Sequence, residues 1–244
     1  MQLITHGKTL ANRVLNAWGQ VLTNKQFLPS PERLIATLKA YGQDPLTVFD
    51  VGVAEGTPWL YNAFPKAKFH LIDPTRESVP HMQKWQKVLD AEIHQIALGA
   101  QAGAMQIHMR DTIKHASLMN DLTLPDISSS YEVQVQRFDE RFPSFSQPAF
   151  CKIDVEGAEM LVLKGMEGRL TEFSAIVVET SMNSLYDNGP EFVEIMQLMA
   201  ANGMRFFDFI GLSRRPSDLA LHQIDAVFVP SNSPMRVKTW SGQG

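Results

Sequence analysis

The stretch Thr47-Val48-Phe49-Asp50-Val51-Gly52-Val53-Ala54-Glu55-Gly56 constrains the fold most, because an apolar run stops abruptly at an acid and two glycines. Val48, Phe49 and Val51 suit a strand covered on both faces. Gly52 and Gly56 remove Cβ atoms where the backbone must turn tightly and let a ligand approach. Pro58 suits the first turn of a following helix. A strand, a glycine turn and a helix form the opening unit of a Rossmann-like nucleotide site, with the ligand outside the carboxyl end of the strand.

Charge narrows the ligand. A dinucleotide site uses G-x-G-x-x-G so that helix N–H groups meet a pyrophosphate, and that pattern is absent here. Asp50 and Glu55 instead flank the turn, where carboxylates repel phosphate. S-adenosylmethionine has no phosphate, and its ammonium and sulfonium groups suit an acidic turn on Coulomb grounds. Taken alone, D-x-G-x-x-x-G also describes an ordinary strand-to-helix turn.

The remaining composition excludes several classes. At 244 residues, 44% hydrophobic and 20% charged, the chain can bury one large domain or a domain with an appendage. A net charge of -4 and the lack of a Lys/Arg run leave no footprint for nucleic acid. A single Cys excludes a disulfide framework and a Cys-based metal cluster. No apolar stretch reaches membrane-spanning length and no secretory h-region opens the chain, so a reducing, cytoplasmic setting is the expectation.

Periodicity organises the rest. Leu10, Val14, Leu15, Trp18, Val21 and Leu22 predict an amphipathic helix over residues 6–22, packed on the domain rather than on a membrane because it carries few basic residues. Ser30-Pro31-Glu32 reads as an N-cap, a first-turn Pro and an early acid, with Gly42 as the stop. A short helix should run to Phe64. Ala67 to Ile72 reads as a second strand, ending at Asp73-Pro74, where a carboxylate about twenty residues past the glycines suits ribose hydroxyls. Met82, Trp85, Val88 and Leu89 mark the next helix face, and Ala91 to Gly99 reads as a third strand whose end walls a flat ring. Gly103–Met109 and Tyr131–Phe138 predict two further strands. The polar loop between them, His115 to Ser130, is a candidate lid.

A second strand-to-acid signal is Phe150-Cys151-Lys152-Ile153-Asp154-Val155-Glu156-Gly157-Ala158-Glu159, followed by a helix with Met160, Leu161, Leu163 and Met166 on its packing face. Ser174 to Glu179 is another strand ending in an acid. Pro190 opens a Met-rich helix that stops at Asn202-Gly203. Met204–Ile210 and Ile224–Val229 have no crossover helix between them and should pair antiparallel. The sum is an α/β, Rossmann-like class I methyltransferase fold. Its mostly parallel sheet ends in an antiparallel terminal hairpin, with helices on both faces. Residues 1–44 form an N-terminal helical extension and 45–244 the cofactor-binding domain.

Val48-Phe49-Asp50-Val51-Gly52 with Gly56, Ile72-Asp73-Pro74, Ala97-Leu98-Gly99, the block Lys152 to Glu159 with Leu163-Lys164-Gly165, and Asp225-Ala226-Val227-Phe228 together resemble the FkbM-type methyltransferases. The Lys152–Glu159 block is the most specific of these, and the resemblance runs from Val48 to Val229. It implies a seven-stranded sheet, S-adenosylmethionine as donor and O-methylation of a hydroxyl on a sugar or small natural product. Asp50, Gly52 and Gly56, with Ala54 and Glu55 in the same loop, would hold the methionine end. Asp73, followed by Pro74, would take the ribose, and the Ile96-Ala97-Leu98 strand end the adenine. Asp154, Glu156 and Glu179 sit at strand ends facing the methyl position. They are candidates for the base acting on the acceptor hydroxyl, with Asp154 first, or for ligands of a divalent cation, the metal-free version being preferred. Ala54-Glu55 stands where the family usually has Asn and an aliphatic residue, and Asp73 stands for the commoner Glu. The first change leaves a non-catalytic S-adenosylmethionine-binding protein as the alternative. Position 154 onward lacks the N/D-P-P-Y/F block of nucleic-acid N-methyltransferases, so a small-molecule acceptor is expected.

Overall fold

The computed structural model describes Leu15 and residues 28–121, 127–187 and 189–237. The predicted helix over residues 6–22 lies outside the described residues apart from Leu15. The second predicted helix is α1, Pro31–Ala40, and its termini behave as their residue types require. Ser30 Oγ accepts from the Arg33 N–H at 3.3 Å, and Gly42, at φ 66°, lets the Gln43 N–H close on the Leu38 carbonyl at 2.8 Å.

Seven strands form the main sheet: β1 Thr47–Val51, β2 Lys68–Ile72, β3 Ala91–His94, β7 Ala149–Ile153, β8 Ala175–Ser181, β9 Met204–Arg214 and β10 Leu221–Pro230. Their order is β3-β2-β1-β7-β8-β10-β9, parallel except for β10, which runs antiparallel to both neighbours. The remaining helices are α2 Pro58–Ala63, α3 Val79–Gln86, α4 Phe138–Arg141, α5 Glu159–Gly165 and α6 Phe192–Ala201. Two apolar layers result. Val48 shares one with Leu34, Leu38, Leu60 and Phe69, while Phe49 and Val51 share the other with Phe138, Leu163, Phe173 and Met199. None of the helices among the described residues is long and apolar enough to cross a membrane.

Four expectations from the sequence change. The run Ala91 to Gly99 is two strands, because β3 ends at His94 and Ala97–Leu98 forms β4 in a separate three-stranded sheet. There β4 pairs parallel with β6, Ser129–Gln136, which pairs antiparallel with β5, Gly103–Met109. The ladder stops on β2: the Asp73 N–H bonds the His94 carbonyl at 3.1 Å, and the next N–H facing β3, that of Thr75, is taken by Asp73 Oδ1 at 2.9 Å. Phe138, read as a strand end, opens α4. Val88 lies past the end of α3 and is exposed, and Val162 rather than Leu161 is buried on α5.

Phe49 is the centre of its layer. It is fully buried, its ring stacks on His70 at 4.7 Å, and Phe138, Phe142 and Phe145 meet it edge-on at 5.0–5.1 Å. Phe49→Ala should therefore lower unfolding free energy by about 3–5 kcal/mol, measured by urea denaturation.

Candidate active site

Parallel register explains why the acids meet. Val51 pairs with Ile72 on one side and Ile153 on the other, and Ile153 pairs with Val178. The next residues, Asp73, Gly52, Asp154 and Glu179, therefore stand in one row at the carboxyl edge of the sheet. Hydrogen bonds from Gly52 N–H to Ile72 O at 2.9 Å and from Asp154 N–H to Val51 O at 3.0 Å fix the row.

A cavity of about 370 Å³ opens above it, lined by Val51–Thr57, Ile72–Thr75, Ile96–Leu98, Ile107, Ile113–Ala116, Leu118, Lys152, Asp154–Glu156, Ala158 and Glu179. It thus brings together Gly52, Ala54, Glu55, Gly56, Asp73, Pro74, Ile96, Ala97 and Leu98 with Asp154, Glu156 and Glu179. Asp50, expected to hold the methionine end, does not line it. Strand alternation puts Asp50 on the Val48 face, where its buried carboxylate accepts from Tyr61 Oη at 2.5 Å and Thr57 Oγ1 at 3.2 Å. Burial raises its pKa, and the nearby Lys152 charge offsets part of that rise.

The glycines serve the protein's own packing. A Cβ on Gly52 would sit 1.6 Å from the Asp154 carbonyl oxygen, and one on Gly56 would sit 2.1 Å from Trp85 Nε1. Both residues also have φ in the left-handed region, at 84° and 112°. Between them Ala54 takes φ 45°, which aims its N–H at Asp73 Oδ2, 2.8 Å away. Asp73 Oδ1 accepts from the Thr75 N–H at 2.9 Å and Thr75 Oγ1 at 2.6 Å. A carboxylate has about four acceptor sites, so one on Oδ2 is left toward the cavity. Glu55 turns outward to Lys114 at 2.9 Å, which lowers its pKa.

The acids on the opposite wall are held individually. Lys152 Nζ bonds Asp154 Oδ2 at 2.8 Å. Burial by itself would lower the Lys152 pKa, but Asp154 and Asp50 outweigh it and the ammonium stays charged. Glu156, at φ 54°, accepts from Tyr186 Oη at 2.5 Å, and its backbone carbonyl accepts from Ser117 Oγ at 2.5 Å. Glu159 is no cavity ligand: its Oε1 accepts from the Val155 and Gly157 N–H groups, each at 3.1 Å, and so shapes the loop carrying Glu156. Oxygens of Asp154, Glu156 and Glu179 lie within 4.8 Å of one another. Burial raises Glu156 to about 7, and burial plus the Asp154 and Glu156 charges push Glu179 far up. Lys152, Lys114, Thr75 and Tyr186 had no assigned role in the sequence reading. Only Lys152 carried a signal, as a lone charge inside an apolar strand.

A sheet of this order, with one reversed strand and a cavity over the ends of its parallel strands, has the class I methyltransferase fold. The sequence profile of the methyltransferase FkbM domain matches residues 50–206, and the chain belongs to this family of S-adenosylmethionine-dependent methyltransferases. Similar solved structures include a methyltransferase FkbM from Methylobacillus flagellatus KT, at 15% identity and TM-score 0.48, covering 76% of this chain. This chain spans 44% of that protein's length. Another is magnesium protoporphyrin IX methyltransferase from Synechocystis PCC 6803 with bound S-adenosylmethionine, at 16% identity and TM-score 0.45, covering 92% of this chain and 97% of that one. A third is mitomycin 7-O-methyltransferase, at 13% identity and TM-score 0.40, covering 80% and 52%. No curated protein sequence matches the chain.

Glu156 and Glu159 have pKa values raised from the ordinary 4.5 to about 7 by burial. A raised folded-state pKa gives stability that is complete below about pH 4.5 and lost as pH rises through about 7. The thermal midpoint should therefore fall across that window. Glu159→Gln keeps an oxygen acceptor for the two N–H groups and should flatten part of the fall, measured by thermal unfolding at a series of pH values.

Proposed function

We propose that the chain transfers a methyl group from S-adenosylmethionine to a hydroxyl of a small molecule, a sugar or natural product, with Glu156 as the base. The observation that carries this reading is the convergence of Asp154, Glu156 and Glu179 on one wall of the cavity, opposite Asp73 and the Ala54 turn. The residues fit the cofactor. Carboxylates dominate the charge facing the cavity, which suits a sulfonium and an ammonium and disfavours a pyrophosphate. The open acceptor site on Asp73 Oδ2 suits a ribose hydroxyl, and Ile96, Ala97, Leu98 and Leu118 offer an apolar wall for a flat ring.

When bound, S-adenosylmethionine supplies an electrophilic methyl group on a positively charged sulfur. The chain's part is to hold an acceptor oxygen in line and remove its proton. Asp154, the first choice from sequence, has one oxygen occupied by the buried Lys152 ammonium at 2.8 Å. Glu156, with its pKa raised to about 7 by burial, is matched to proton transfer near neutrality. Glu179, pushed up by burial and by Asp154 and Glu156, holds a proton and can donate a hydrogen bond to the acceptor.

Two measurements test this. Asp73→Ala should weaken S-adenosylhomocysteine binding by about 1.5–3 kcal/mol in calorimetry, the range for a hydrogen bond to a charged group, and unchanged affinity removes the ribose role. Turnover should be sought by mass spectrometry with methyl-labelled donor and a panel of hydroxylated metabolites. On an acceptor so found, Glu156→Gln should lower kcat by about 10²–10⁴-fold with cofactor affinity nearly intact, and the wild-type rate should rise with pH through about 7. Equal losses in Asp154→Asn, Glu156→Gln and Glu179→Gln, with chelator sensitivity and rescue by magnesium, would assign the three acids to a cation instead. Tight cofactor binding without turnover on any acceptor would favour the non-catalytic alternative.

A further inference from the structure

The outer end of the sheet carries a second cluster of ligating side chains, and none of its members lines the cavity. His70 lies on β2, and Glu92 and His94 lie on β3, where His70 and Glu92 are register partners. His70 Nδ1 and His94 Nε2 are 3.0 Å apart, and Glu92 Oε2 is 3.8 Å from the first and 4.0 Å from the second. The point equidistant from the corners of such a triangle lies about 2.1 Å from each, the bond length zinc makes to imidazole nitrogen and carboxylate oxygen. Lys68 Nζ sits 3.2 Å from Glu92 Oε1, which leaves Oε2 as the oxygen turned to the two rings.

We propose that His70, Glu92 and His94 form a divalent transition-metal site of the zinc type, with a fourth position open to water, tying the edge strand β3 to β2. The protonation pattern without metal is compatible with this. Arg141 Nη2 donates to His94 Nδ1 at 2.9 Å, so the His94 proton sits on Nε2 and is donated to His70 Nδ1. Both rings are then neutral. Metal binding requires the His94 proton to move from Nε2 to Nδ1, with no net proton lost, and requires the exposed Arg141 to turn away into solvent. His70 already presents its Nδ1 lone pair.

Zinc titration of the full, untagged chain by calorimetry, with metal content measured after dialysis, tests the site. One zinc per chain and a raised thermal midpoint are expected. Glu92 is half-exposed, so Glu92→Gln should fold normally; it should bind zinc about tenfold more weakly or worse, while Arg141→Ala should bind it more tightly. Cobalt should give a visible d–d band that Glu92→Gln loses. No zinc uptake by the wild-type protein overturns the proposal, and so does uptake that is equal in Glu92→Gln, since the ion would then lie elsewhere.

Discussion

One buried ammonium makes the carboxyl edge of this sheet tenable. Asp50 on β1, Asp154 at the end of β7 and Asp225 on β10, two strands away, all act on Lys152 of β7. Carboxylates brought this close into a low-dielectric setting cannot all ionise without a counter-charge. Lys152 supplies it to Asp154 at 2.8 Å and, at longer range, to Asp50 and Asp225. Asp50 and Asp225 still have raised pKa values because burial outweighs that charge, and Glu156 and Glu179, which the ammonium does not reach, are raised as well. The arrangement divides similar side chains into different states, with Asp154 paired to the ammonium, Glu179 protonated, and Glu156 raised to about 7.

Much of this was legible in the chain. The strand at Val48, the acid at Asp73 and the block from Lys152 to Glu159 are local patterns, and a parallel sheet converts them into a row because register is set by the same apolar runs. Other features depended on distance along the chain. Tyr186 reaches Glu156 across thirty residues and Lys114 reaches Glu55 across fifty-nine, and nothing in either local sequence announces the partner. The Asp50 placement was open to inference, since a period of two puts it with Val48 on the face that packs on α2. The break after His94 was not legible in this way, since it follows from Asp73 Oδ1 taking the Thr75 N–H on the neighbouring strand.

The departure at Ala54-Glu55 has a physical reading. Ala54 accepts a left-handed conformation, costing roughly 1–2 kcal/mol, and its N–H is thereby held on Asp73. Glu55 sends its side chain out of the turn to Lys114, on the segment that closes the cavity from the other side. Trp85 Nε1 holds the Glu55 carbonyl at 3.1 Å while its ring occupies the space beside Gly56. The turn is therefore fixed from within by Asp73 and from outside by Trp85 and Lys114, and its shape does not depend on the residues usual at these two positions.

Glu156 faces the same problem as Ala54, with more at stake. Its left-handed backbone is a strained choice for a residue with a side chain, and several contacts act together to hold it. Glu159 binds the N–H groups on either side, Ser117 caps the carbonyl, and Tyr186 packs its ring against Gly157, where a Cβ would lie 2.4 Å from it. The strained loop sets Glu156 on the cavity wall, and the packing that enforces it also buries much of the carboxylate. The same desolvation raises the Glu156 pKa to about 7. Geometry and basicity at this residue thus have one cause, and a substitution that relaxed the loop would be expected to alter both together.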